Sequence, residues 1–277
     1  MEEDSTNDNK VVDSVTSLVK AIPVYQDGLQ PAIKEVGKAL GTVAKTVNIV
    51  LAPVSILVWG YEQVKDFVEG KVAEKLKDIP EEKIITPDAT IAGPVLESLK
   101  YTGHKEELKE MYANLLASAM NSDTAVNAHP SFVDIIKNMN VYEAKIIQYL
   151  AKNNRIPMIH IRQIKQKLFS HGGSIYAFKY ISKITFDIDF IDEKLLPVYY
   201  ENLIRLKLID IPEGRYLHAK NLYDELENEQ FVLNKIQEID TLDGHKSEIE
   251  QTFIELSAFG IQFVKACIDI SDSISLK

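Results

Sequence analysis

The amino-acid sequence predicts a mainly α protein, an N-terminal helical bundle followed by a winged-helix-like α+β domain. Three observations carry this. Apolar residues recur at spacings of three and four from Val11 to Met120, with no strand alternation before residue 155. The stretch Ile49 to Gly60, inside that helical half, has no charged side chain. Beyond residue 140 the pattern becomes helix, short strand, helix, helix, hairpin and closing helix. The expected domains are a disordered tail at 1–10, an all-helical bundle at 11–125 with an apolar central hairpin, and a winged-helix-like domain at 126–277 with an acidic helical insertion.

At 277 residues the chain has room for two domains. Its 45% apolar and 26% charged residues are those of an ordinary folded protein. The formal net charge of −10 argues against a phosphate-binding surface, so no tight nucleic-acid binding is expected. Cys267 is the single cysteine, which excludes an intramolecular disulfide framework and a Cys-rich metal site. The start Met-Glu-Glu-Asp lacks a cationic segment followed by an apolar one, so no secretory signal is visible and a cytoplasmic location is expected.

Val11 to Ile22 has a helical apolar face, ended by Pro23. The next helix starts near Gln30 and buries Ile33, Val36, Leu40, Val43, Val47, Val50 and Leu51. Gly37 and Gly41 stand four apart on a neighbouring face, a spacing that lets another helix approach closely. Pro53 removes a backbone donor and should kink or break the helix. Leu57 and Trp59 lie in the apolar run that follows. This run has two readings: a buried helix of the bundle, or a segment that meets a membrane after activation. Lys45 and Asn48 oppose the second, because a cation at a bilayer centre costs about 2.5–3.5 kcal/mol.

Val54 to Leu76 reads as a surface helix, with Val64, Phe67, Val68, Val72 and Leu76 inward. A helix capped near Asp88 covers Ile91 to Leu99. Another runs from Lys105 to Met120 after a break at Thr102-Gly103-His104. Phe132 to Met139 and Val141 to Lys152 are also helical. In the second half, Ile156 to Ile161 reads as a short strand, Gln163 to Phe169 as a helix and Ser170 to Ser174 as a loop. Ile181 to Phe190 alternates partly as a strand, with a helix open for its first part. Leu195 to Leu206 is a helix in the recognition position, offering Tyr199, Asn202 and Arg205 to a partner. Leu208 to Ile211 and Arg215 to Leu217 form a hairpin about Pro212-Glu213-Gly214. Asn221 to Ile239 is an acidic helix. Thr252 to Leu256 alternates again, and Ser257 caps a last helix through Ile268.

Several runs resemble the abortive-infection alpha family of bacterial proteins. They are Ile84-Ile85-Thr86-Pro87, Ile91-Ala92-Gly93-Pro94, Glu107-Leu108, Met111-Tyr112-Ala113-Asn114-Leu115-Leu116-Ala117-Ser118-Ala119-Met120 and His129-Pro130-Ser131-Phe132. Glu143-Ala144, Asn202-Leu203-Ile204-Arg205-Leu206 and Phe259-Gly260 continue it, so it covers most of the chain from Gly28. What the resemblance implies is phage resistance through abortive infection. It implies no agreed chemistry, so no family site residue is carried over.

Candidate chemistry is thin. The six histidines are scattered, none paired at i, i+4, and no carboxylate or Cys cluster has ligand spacing, so no metal or cofactor is expected. His129 and Ser131 invite a nucleophile–base reading, but a helix cap is favoured. Met111, Tyr112 and Cys267 read as core. No phosphate-cradling loop or nucleophile elbow is present, and no catalytic residue is assigned.

The expected function is therefore a non-enzymatic defence effector, acting by release of the apolar helical segment (Gly37, Gly41, Val47, Val50, Pro53, Leu57, Trp59) toward the membrane. The alternative is a soluble interaction or sensor module that uses the winged-helix half. A transcriptional regulator ranks below both. A protein partner or self-association is expected in either case.

Overall fold

The computed structural model describes residues 61–153, 155–167, 170–188, 193–219 and 221–269. The segment with Gly37, Gly41, Val47, Val50, Pro53, Leu57 and Trp59, and the helices expected before residue 61, lie outside the described residues. What is described is mainly helical, with one four-stranded antiparallel sheet. The chain divides into two compact units. One holds the residues up to Val141 together with Gln262–Asp269, and the other holds Tyr142–Ile261.

In the first unit, helix α1 is described over Tyr61–Asp66, a π-helical segment Phe67–Val72 and Ala73–Leu76. The predicted stripe Val64, Phe67, Val68, Val72 and Leu76 is buried. Helix α2, Ala89–Thr102, starts at Asp88, whose carboxylate accepts the Thr90 N–H at 2.8 Å. That bond satisfies one of the helix's orphan donors. Helix α3, Glu106–Met120, follows the break at Gly103 and buries Leu108, Met111, Tyr112, Leu115, Leu116 and Met120. Helix α4, Ser131–Lys137, adds Phe132, which meets Phe263 edge-on at 5.3 Å. Lys71 bridges Glu106 and Glu110, and Lys75 pairs with Glu110, so charges tie α1 to α3 above this core.

The second unit begins along helix α5, Val141–Lys152, and continues into a hairpin of strands β1, Arg155–Lys167, and β2, Ser170–Ser182. Helix α6, Lys183–Asp187, and helix α7, Leu196–Arg205, come next, then the short strand β3, Ile209–Asp210. Helices α8, Asp224–Glu227, and α9, Gln230–Asp240, lead to strand β4, His245–Leu256, and helix α10, Ala258–Cys267. The sheet order is β2-β1-β4-β3. One of its faces packs Ile159, Ile161 and Ile181 against Tyr223, Leu226, Val232 and Ile239, so α8 and α9 cover it.

Four local expectations are corrected here. Gln163 to Lys167 is strand rather than helix, and Ser170 to Ser174 belongs to β2 rather than a loop. The β1–β2 register shifts between Ile159 and Ile161, between Ile161 and Arg162, and between Ile164 and Gln166. Each shift places an extra residue on β2 and breaks its alternation, whereas β1 keeps an unbroken register with β4 from Arg155 to Lys165. At Ile181 to Phe190, where both strand and helix are open, the strand ends at Ser182, whose backbone N–H donates to Thr185 Oγ1 at 3.1 Å, and helix α6 begins. Strand β3 pairs with β4 rather than with Arg215 to Leu217: Ile209 faces Leu256 and Asp210 faces Glu255. Finally, the acidic helix is two helices, with Asn228 closing α8 by donating its amide to the Asp224 carbonyl at 2.7 Å.

Candidate functional site

Two surfaces of the second unit merit chemical reading. The first is helix α7. Pro197 stands in its first turn, where a missing N–H costs nothing. Leu196, Tyr199, Tyr200 and Leu203 are buried and fix the helix to the unit. Tyr200 Oη lies 3.3 Å from Ser182 Oγ, its ring lies 5.3 Å from that of Tyr180, and burial pushes its phenol pKa up. Of the three residues expected to meet a partner, Tyr199 is 5% exposed and stacked 5.6 Å from Tyr142. Its ring therefore anchors the helix. Arg205 is exposed, and its guanidinium donates twice to Asn202 Oδ1, at 3.0 and 2.7 Å. Leu195 and Val198, at 41% and 57% exposure, extend the same row toward the helix start. Glu201 beside them pairs with Lys179 at 3.5 Å. The outer face is thus apolar at one end, polar at the other, and nearly neutral.

The second surface is a cavity of about 280 Å³. Helix α5 contributes Tyr149, with Asn153 just beyond it, and β1 contributes Arg155, Ile156 and Pro157. Lys183, Phe186 and Asp187 come from α6, while Leu222, Glu225, Leu226 and Glu229 come from the acidic segment around α8. The Tyr149 hydroxyl donates to Asp187 Oδ2 at 2.6 Å. Burial first, then this carboxylate, pushes the Tyr149 pKa up to about 12. Arg155 is engaged at the edge, its Nε donating to Glu255 Oε2 at 2.6 Å while its guanidinium lies 5.4 Å from the Phe253 ring centre. Lys183 Nζ stands 3.7 Å from Glu225, both side chains being largely exposed.

Sequence reasoning missed this cavity. Its lining comes from three separated stretches, none carrying a motif. The available signal was modest: Glu225 and Glu229 of the insertion interleaved with Leu222 and Leu226.

The remaining candidates resolve into structural roles. His129 Nδ1 accepts the Ser131 N–H at 3.1 Å and lies 2.7 Å from Ser131 Oγ, so it satisfies one backbone donor in the first turn of α4, whose N-cap position is Pro130. Met111 and Tyr112 are fully buried, and burial, against hydrogen bonds with Ser98 and Thr102, raises the Tyr112 pKa to about 12. Cys267 is buried, and burial pushes its thiol pKa well up. Among the described residues no group of three or more His, Cys, Asp or Glu is placed to hold a metal ion. No described helix is long and apolar enough to cross a membrane.

These features define a mainly helical protein whose second unit pairs a small antiparallel sheet with an open cavity. The family described as abortive infection alpha matches residues 60–267, and the chain belongs to it. A solved structure of an uncharacterized protein from the hydrocarbon-degrading marine bacterium Alcanivorax borkumensis SK2 is 14% identical, with a TM-score of 0.31 over 51% of this chain and 92% of that one. No curated protein matches.

Proposed function

We propose that the chain serves abortive infection without catalysis, by contacting a protein partner through the outer face of α7. The observation that carries this is the row Leu195, Val198, Asn202 and Arg205, in which two large apolar side chains stand exposed beside Asn202 and the Arg205 that donates to it. The buried centre of an interface is more apolar than the rest of a protein surface, enriched in arginine and depleted in lysine and carboxylates. Duplex DNA requires the opposite, a cluster of cations on this helix.

The chain order supports reading the unit as an elaborated winged helix. Helix α5, strand β1, helices α6 and α7 and strands β3 and β4 follow that sequence, with β4 lying between β1 and β3. Strand β2 and the α8–α9 segment are then additions.

The test is phage plating on cells that express the protein. Val198→Asp should leave the protein folded and soluble yet raise the plating efficiency by about tenfold or more, since one interface anchor commonly carries over 1 kcal/mol. Full protection by a folded Val198→Asp variant would sink the proposal.

A second reading rests on the uncharged run Ile49 to Gly60, which requires a cover when the protein is at rest. In this reading the segment 33–59 moves to a membrane on infection. Leu57→Lys separates the two: a folded variant that still protects removes the membrane step and leaves the α7 contact standing.

A further inference from the structure

The cavity in the second unit is a different surface from the α7 face and has its own chemistry. We propose that it binds a cation carried on an apolar stem, the chemistry of an arginine or lysine side chain. Size sets the first limit. Small-molecule sites commonly span roughly 300–1,000 Å³, so about 280 Å³ accommodates one long side chain or a simple amine rather than a dinucleotide.

Charge sets the second limit. Asp187, Glu225 and Glu229 line the cavity against two cations, Arg155 and Lys183. Arg155 is already neutralised by Glu255 and held over Phe253, and Lys183 lies beside Glu225. An anion would face this carboxylate excess with no uncommitted cation to receive it. Asp187 accepts one hydrogen bond from Tyr149, whereas a carboxylate has about four acceptor positions, so it retains capacity for a charged donor.

The apolar lining completes the match. Ile156, Pro157 and Leu226 line the cavity, and Phe186 and Leu222 remain 38% and 37% exposed there. A methylene stem against these side chains removes apolar surface from water while its head reaches a carboxylate. A wholly apolar ligand would desolvate the carboxylates without pairing them, which is unfavourable. The acidic segment around α8 thus acquires a role as one wall of a cation receptor.

The experiment is a titration of the full-length protein, followed by calorimetry and by amide chemical shifts. The probes are N-acetyl-arginine methylamide, its uncharged isostere N-acetyl-citrulline methylamide, and agmatine. The arginine probe should bind, the citrulline probe about tenfold or more weakly, and Asp187→Asn should cost the arginine probe a similar factor, as expected for loss of one charged partner. Glu97→Gln, an equal charge change on the exposed side of α2, should leave binding unchanged. Tighter binding of the capped amino acid than of agmatine identifies a polypeptide source, and the reverse identifies a free amine. Equal binding of arginine and citrulline probes, or no arginine binding at concentrations on the order of 10 mM, overturns the proposal. The arginine–citrulline contrast uses the unaltered protein, so it decides the matter even if Asp187→Asn does not fold.

Discussion

Gly260 lies so close to Leu208 that a Cβ at that position would stand 1.9 Å from the Leu208 carbonyl oxygen. The contact is backbone, so no rotamer change relieves it. The same carbonyl accepts the Ser257 N–H at 3.0 Å, and Ser257 Oγ donates to the Lys207 carbonyl at 2.5 Å while accepting the Gly260 N–H at 2.9 Å. The start of α10 is therefore seated on the turn that ends α7. Gly260→Ala must displace one of the two. Overpacking commonly costs about 1–3 kcal/mol, and an unyielding backbone contact belongs at or above the upper end. A thermal melt should show a fall of several degrees, and an unchanged melting temperature would refute the close approach.

The parts of the fold legible in the sequence are those whose signal is local. Asp88 announced its cap, Gly103 its break, and Leu108, Met111, Tyr112 and Leu115 the buried face of α3, because a helix repeats within a few residues. The sheet was legible at its ends alone. Arg155 pairs with Glu255, a hundred residues away, and extra residues along β2 break the two-residue period that would have revealed the hairpin. In the first half of β4, Lys246, Glu248 and Glu250 line one side while the other carries His245, Ser247 and a single apolar residue, Ile249, so its apolar alternation is faint. Asn202 and Arg205 were identifiable on α7, but the inward turn of Tyr199 depends on Tyr142. The cavity needed the tertiary fold, since Tyr149 and Asp187 meet across 38 positions of sequence.

Glu110 provides an acid-sensitive tie in the first unit. Burial works to raise its pKa, but hydrogen bonds and charge from Lys75 and Lys71 outweigh it and hold the carboxyl below its ordinary value of 4.5. Glu106 is lowered as well, by Lys109 and then Lys71. A carboxylate with a depressed folded-state pKa contributes stability that is present above the unfolded value and lost as pH falls through the folded one. Urea midpoints should therefore drop below pH 4.5, and Glu110→Gln should flatten that drop while lowering the midpoint at neutral pH. A wild-type acid limb of unchanged steepness in Glu110→Gln would refute the tie.

The near-neutral outer face of α7 predicts weak nucleic-acid binding. Glu201 offsets Lys179, and Arg205 is committed to Asn202. Counterion release from DNA requires several cations acting together. Fluorescence anisotropy with duplex DNA at physiological salt should show no sub-micromolar, sequence-dependent binding. Such binding, abolished by Arg205→Ala, would move the protein into the class of DNA-binding regulators.

His160 makes the second unit respond to pH in a higher range than Glu110 does the first. Its ring is buried, edge-on to Tyr176 at 5.5 Å and to Tyr180 at 5.3 Å. Nδ1 lies 3.0 Å from the Tyr180 N–H, which must find an acceptor, and 3.0 Å from the Ile159 carbonyl. Serving the N–H requires an unprotonated Nδ1, with the ring proton on Nε2. Protonating Nδ1 turns it toward Ile159 and leaves the Tyr180 donor without its acceptor, at a residue already held at a positive φ of 65°. Burial is the largest influence and lowers the pKa below the ordinary 6.5; Glu250 works against it and Lys179 with it. A histidine more acidic in the folded state than in the unfolded one is fully accommodated above pH 6.5, and stability falls as pH drops toward its folded value. Urea unfolding should thus show a midpoint that begins to decline as pH falls below 6.5, above the pH at which the Glu110 decline begins. His160→Asn, which retains an acceptor but cannot titrate, should lose this decline and keep the lower one. A decline of undiminished size in the His160→Asn variant would place the sensitivity elsewhere.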